Sequence, residues 1–143
     1  MEASVLMVGL LSTERPRVID PYNNGQGSFM YNHNITEVKV VKDEMGGVSI
    51  VADDDESATG KMYRYDCLRV EYPKTADNIF STLLTAKFPA NRESKLVNEY
   101  QSAKLGILPE DMAKPYEDFL RERLAMRQMV DKDCADNKVP TDL

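Results

Sequence analysis

MYRYDCLRVEYPKTADNIFSTLLTAKF, residues 62–88, changes its hydrophobic period at Tyr72-Pro73, and that change decides the fold class. From Met62 to Tyr72 the side chains alternate. Tyr63, Tyr65 and Cys67 fall on one face of an extended ladder, and Met62, Leu68, Val70 and Tyr72 fall on the other, around Arg64 and Asp66. After Pro73, Ile79, Phe80, Leu83, Leu84 and Phe88 recur at three and four residues, the spacing of one helical face.

Upstream of this stretch the pattern is that of strands. Ile35, Val38, Val40 and Val41 mark one strand, Met45-Gly46-Gly47 supplies a turn, and Val48, Ile50 and Val51 mark the returning strand. Ala52 to Lys61 is a polar connection too short for a parallel crossover, so the strands form an antiparallel meander. Met1 to Leu11 is apolar at Val5, Leu6, Met7, Val8, Leu10 and Leu11, carries Glu2 and has no basic leader. It is shorter than the roughly 20 residues a membrane helix needs and reads as a buried strand or short packed segment of a cytoplasmic protein. Ser12 to Gly27 is irregular chain with Val18, Ile19 and Tyr22 as anchors; its Asn23 to Ser28 loop lacks the ending of a phosphate loop.

Downstream the pattern is helical. Thr75 is positioned to cap the first helix, with Asp77 in its first turn, and Pro89 stops it. Asn91 is the expected cap of a second helix carrying Leu96, Val97, Tyr100 and Ala103, with Gly106 at the left-handed position that ends it; the two helices are expected to form a hairpin. A third helix starts between Pro109 and Pro115 and runs to about Cys134. Met112, Tyr116, Phe119, Leu120, Leu124, Met126, Val130 and Cys134 lie in one arc, the expected core face. Residues 137–143 read as a frayed tail.

The composition fits a single globular domain. At 143 residues the chain can bury roughly 68–70% of its unfolded surface. A net charge of −6 opposes a protein that neutralises many phosphates, which disfavours nucleic acid as partner. Cys67 and Cys134 form no metal motif and read as free thiols.

No catalytic or metal constellation emerges, and no cofactor is implied. His33, the only histidine, stands in Asn32-His33-Asn34 without a partner motif and reads as an exposed turn residue. Asp53 to Glu56 fails the calcium-loop spacing, because position twelve is Arg64, and reads as a solvated loop. Arg123 and Arg127 fall inside the apolar arc: they either contact an anion or partner, or form an internal bridge to a carboxylate such as Asp77 or Glu71. Tyr63 and Tyr65, beside Arg64 and Arg69, are the other candidate contact residues. With Tyr72 they could also form a single-stranded nucleic-acid platform, opposed by the acidic balance; a sheet face packed on helices explains the same pattern more simply.

Tyr63-Arg64-Tyr65-Asp66 through Val70-Glu71, the helix Ile79 to Phe88, Asn98-Glu99-Tyr100, and Phe119 to Arg127 carry a likeness. Over residues 30–133 the chain resembles a group of small uncharacterised proteins encoded in phage or prophage-like regions of gut Bacteroidetes genomes. The resemblance implies a virion component, assembly factor or accessory adaptor, in the cytoplasm or the virion, and transfers no active-site residue.

The sequence therefore predicts an α+β domain over residues 1–136, an antiparallel sheet of three or four strands covered by three helices, followed by a flexible tail. Neither half carries enough apolar surface to close a core alone. The expected role is binding a protein partner or a second copy, with no membrane association. The rival expectation is a small ligand-binding domain or enzyme whose pocket is lined by Tyr63, Tyr65, His33 and Arg127.

Overall fold

In the computed structural model, which describes residues 6–22 and 25–142, the chain is α+β, with a five-stranded antiparallel sheet in the N-terminal half and three α-helices in the C-terminal half. It divides into two compact units at the period change, Met1–Tyr72 and Pro73–Leu143. Val5 and Asn23-Asn24, read above as part of the first apolar run and as a turn, lie outside the described residues.

The sheet comprises β1 (Leu6–Ser12), β2 (Ile19–Pro21), β3 (Phe29–Lys42), β4 (Val48–Val51) and β5 (Gly60–Val70). Its order is β1-β5-β3-β2, with β4 pairing the far end of β3, so β5 and β3 are the spine and β1 is an edge. The hairpin turn before β4 follows from its residues. Asp43 Oδ1 accepts the N–H groups of Met45 and Gly47 at 2.9 and 2.7 Å, and Gly46 takes a φ of 85° that costs a glycine little.

Three strand expectations are corrected. β3 begins at Phe29, six residues before the first β-branched run, because Phe29, Tyr31 and His33 alternate into the buried face while Asn32 is held by the carbonyl of Arg17. Ile19–Pro21, taken as irregular chain, pairs with Tyr31, Met30 and Phe29. β1 is a strand but is not buried: Met7 is 46% and Val8 62% exposed, as an edge position allows.

The helices are α1 (Ala76–Lys87), α2 (Ala90–Lys104) and α3 (Lys114–Asp136), the last entered through a single 3₁₀ turn at Glu110–Ala113. α1 packs on α3, and α2 on the 3₁₀ turn and α3, rather than on each other, which corrects the expected two-helix hairpin. Phe88 meets Phe119 edge-on at 4.7 Å, and Tyr100 meets Tyr116 at 5.0 Å. The buried arc of α3 is narrower than the sequence implied. Phe119, Met126, Val130 and Cys134 are buried, whereas Leu120 and Leu124 are exposed, because they sit about 100° to 140° around the helix from Phe119.

α2 ends in a Schellman arrangement, in which Ile107 N–H donates to Ser102 and Gly106 N–H to Ala103, with Gly106 at a φ of 78°. The cap expected of Asn91 is not made at that position: Pro89 is the N-cap residue, and Asn91 Oδ1 instead accepts the N–H of Arg92.

The first turn of α1 has every orphan N–H matched. Thr75 N–H donates to the Pro73 carbonyl, and Asn78 N–H donates to Thr75 Oγ1 at 3.2 Å, as its cap position predicts. Ala76 and Asp77 N–H donate to the carbonyls of Pro140 and Thr141 at 2.9 and 3.0 Å. This corrects the frayed tail: Val139 is buried, and its N–H returns to the Cys134 carbonyl at 2.8 Å, which turns the chain onto α1. Val139→Ala should lower unfolding stability by about 1.5 kcal/mol through two buried methyl groups. Thr75→Ala should cost about 1 kcal/mol through the lost cap; urea denaturation measures both.

Candidate functional site

Two interruptions of the ladder lie opposite neighbouring residues of β5, Asp66 and Tyr65. Between β1 and β5 the register runs from Met7 opposite Cys67 to Leu10 opposite Tyr65, so Val8 and Gly9 together oppose Asp66. Between β3 and β5 it runs from His33 opposite Asp66 to Thr36 opposite Arg64, so Asn34 and Ile35 together oppose Tyr65. The extra residues adopt left-handed backbone, with φ of 75° at Gly9 and 52° at Asn34, which glycine and asparagine tolerate best.

The Asp66 carboxylate ties both bulges. Oδ1 accepts the Gly9 N–H at 3.1 Å and Oδ2 accepts Asn34 Nδ2 at 2.9 Å, so each oxygen holds one neighbouring strand. The residue is only 7% exposed. Burial pushes its carboxyl upward, but the bonds from Asn34 and Gly9, with charge on His33 and Arg64, outweigh this and hold it below the ordinary aspartate range. Arg64 crosses beside the β1 bulge: a Cβ at Gly9 would stand 3.3 Å from its Nη2.

His33 is corrected by the structure. It is 2% exposed, within β3, with its ring stacked on Tyr31 at 4.7 Å and Nδ1 placed 3.1 Å from the Tyr31 carbonyl oxygen. The polar Asn32-His33-Asn34 run is strand ending in a bulge rather than an exposed turn.

A bulge reverses the alternation of a strand, and in β1 this has a definite result. Leu6 and Leu11 share the sheet face of Leu68 and Arg64. Met7, Leu10 and Ser12 share the opposite face, with Cys67, Tyr65 and Tyr63. Tyr63 and Tyr65 therefore stand side by side behind the β1 edge, both half-buried, with Ser12 and Leu10 as their cross-strand neighbours. Among the described residues no strand lies on the outer side of β1.

Arg123 and Arg127 come together elsewhere, in the helical unit. Their guanidinium carbons stand 5.1 and 5.2 Å from the centroid of the same Phe80 ring. Arg127 is an internal bridge: Nη2 donates to Asp77 at 2.7 Å and Nε to Asp131 at 3.1 Å, and the Asp77 bond leads the influences that raise its pKa. Glu71, the other suggested partner, belongs to the sheet unit, where Ser28 and Arg69 engage it. Arg123 is exposed and rests on Phe80 without an ion pair among the described residues.

The remaining reactive groups are held by the fold. Cys67 and Cys134 are free and buried; burial, with Asp133 and Asp131, pushes the Cys134 thiol up to about 11, away from thiolate chemistry at neutral pH. In the acidic loop, Asp55 accepts from the backbone and hydroxyl of Ser57 in a closed turn. Among the described residues, His, Cys, Asp and Glu nowhere gather in threes suited to a metal. The depressions of the helical unit are open; one of about 320 Å³ is lined by Ala103, Lys104, Gly106, Leu108, Glu110 and Ala113.

Sequence reasoning did not single out Asp66, Gly9 or Asn34. A glycine within an apolar strand pattern was the available signal for the first bulge; the second had only an asparagine among polar neighbours.

Asp66→Asn should destabilise the sheet unit by about 1–3 kcal/mol, because one amide face must oppose an N–H donor. Since the folded carboxyl lies below its unfolded value of about 3.9, its contribution is complete above that value and is lost as pH falls through the folded value. Acid titration of stability should accordingly be shallower in the Asn variant. Gly9→Ala should cost about 1–2 kcal/mol through the positive φ, measured by urea denaturation. No protein-family model, no curated protein and no solved structure matches the chain.

Proposed function

We propose that the chain is a non-enzymatic protein-interaction module whose contact element is the outer edge of β1. On the resemblance given above, we further propose that it serves as a structural, assembly or accessory component of a phage-type particle, in the cytoplasm or the virion. No helix among the described residues is long and apolar enough to cross a membrane.

The observation that carries the reading is the contrast between the borders of the sheet. β1 offers seven residues, Leu6–Ser12, with no charge and no proline. A strand edge of that kind invites another strand, because its side chains bury without desolvating a charge and no proline interrupts it. On the opposite border β2 is three residues long and contains Asp20 and Pro21, both of which discourage pairing, and β4 is four residues long. Tyr63 and Tyr65 support the edge from one face, where amphipathic rings suit a partly wet contact.

Hydrogen exchange with a short synthetic peptide of alternating valine and threonine tests the reading. The peptide should slow exchange in Leu6–Ser12 and leave Ile19–Pro21 unchanged. Protection spread equally over both borders, or none, contradicts it.

A further inference from the structure

We infer that the C-terminal end of α2 is an interface between two copies of this chain, in which Leu105 and Ile107 of each copy enter a depression beside Gly106 of the other about a two-fold axis. This surface lies within the helical unit and is independent of the β1 edge.

Leu105 is 76% and Ile107 73% exposed, more than any other large apolar residue among the described residues except Met45. Backbone bonds hold them there. Gly106, between them, takes a φ of 78° and donates to the Ala103 carbonyl at 3.1 Å, and the N–H groups of Ile107 and Leu108 both donate to the Ser102 carbonyl. An apolar residue in the place of Ile107 commonly packs back on the last helical turn, but there it finds Ser102 and Gln101, which offer little apolar surface. A tip already fixed in this way loses little freedom on contact, which favours association.

Beside the tip lies the open depression of about 320 Å³, with Ala103, Gly106, Leu108 and Ala113 as its small and apolar walls. Leu105 and Ile107 are not part of those walls, so they leave the depression of their own copy unfilled. A Cβ at Gly106 would meet no atom within 4 Å, so the mouth is open at that point.

The charges select the occupant. The remaining walls are Lys104 and Glu110, one of each sign. Lys104 has only a 4.0 Å pairing with Glu117 and the Tyr100 ring at 5.4 Å, and Glu110 is exposed without an ion pair among the described residues. A partner of a single sign would match one of these charges and oppose the other. A second copy turned through 180° sets Lys104 against Glu110 of the second copy and Glu110 against its Lys104, so both are matched while each tip meets a depression. Two aliphatic side chains per copy bury far less than the roughly 1,200–2,000 Å² of a stable interface, so the pairing is weak, with a Kd between about 10 μM and 1 mM.

Sedimentation equilibrium of the full chain tests the inference at about 0.15 M salt, where repulsion between two formal charges of −6 is screened within about 8 Å. The mass should rise toward twofold as concentration approaches about 1 mM. Ile107→Asp should weaken association at least about tenfold with unchanged circular dichroism. Lys104→Glu and Glu110→Lys should each self-associate less than the unaltered chain. An equal mixture of these two variants should regain the twofold mass, because every pair across the axis is then opposite in sign. The methyl resonances of Leu105 and Ile107 in the unaltered chain give a second readout if a variant folds poorly, and should shift with concentration. A single-chain mass throughout, an association that Ile107→Asp leaves intact, a mixture no better than its components, or concentration shifts confined to other methyl groups overturns the inference. The valine-threonine peptide reads β1 separately, so this interface and the strand-edge reading fail independently.

Discussion

The Asp66 carboxylate is the constraint on which the sheet depends. One side chain of the central strand reaches a backbone N–H on β1 and a side-chain amide on β3, and each bond closes a bulge that the other strand would not form alone. A buried carboxylate is costly unless its oxygens are matched, and here both are. The bulges increase local twist and reverse the alternation of β1 and β3, so the facing of the side chains on either side of each bulge differs from that of an unbroken ladder. His33 occupies the ladder position opposite Asp66 at the entrance to the second bulge, on the buried face it shares with Phe29 and Tyr31.

The helical unit is organised around α3, which receives α1 through Phe80 and α2 through Tyr100. Its charges serve that packing. Arg127 joins Asp77 of α1 to Asp131 of its own helix, and its flat guanidinium lies near the Phe80 ring. The segment after α3 returns to supply the first-turn carbonyls of α1, so the ends of this unit are fastened by backbone bonds as well as by apolar contact.

What was legible in the sequence is what repeats. The alternation read over Met62 to Tyr72, present as strand up to Val70, the helical spacing of Ile79 to Phe88, the Thr75 cap and the Gly106 stop each rest on several residues or on strong local chemistry. Shared facing of Tyr63 and Tyr65 followed from the same alternation, and the Arg127–Asp77 bridge was among the open readings. The rest depended on contacts distant in sequence. Asn34 takes its bulge because Asp66, 32 residues away, accepts its amide; Val139 is buried because carbonyls beyond it reach α1; Leu120 and Leu124 lie outside the core because the other helices pack on a neighbouring stripe. No period or local preference encodes such facts.

The register across the first bulge is central, because the placing of Asp66 between two strands and the facing of the β1 side chains both follow from it. Inter-strand nuclear Overhauser contacts measure that register. The predicted pattern places Met7 opposite Cys67 and Leu10 opposite Tyr65, with Val8 and Gly9 both against Asp66. An unbroken ladder, in which Val8 alone opposes Asp66 and Leu10 lies opposite Arg64, would contradict it.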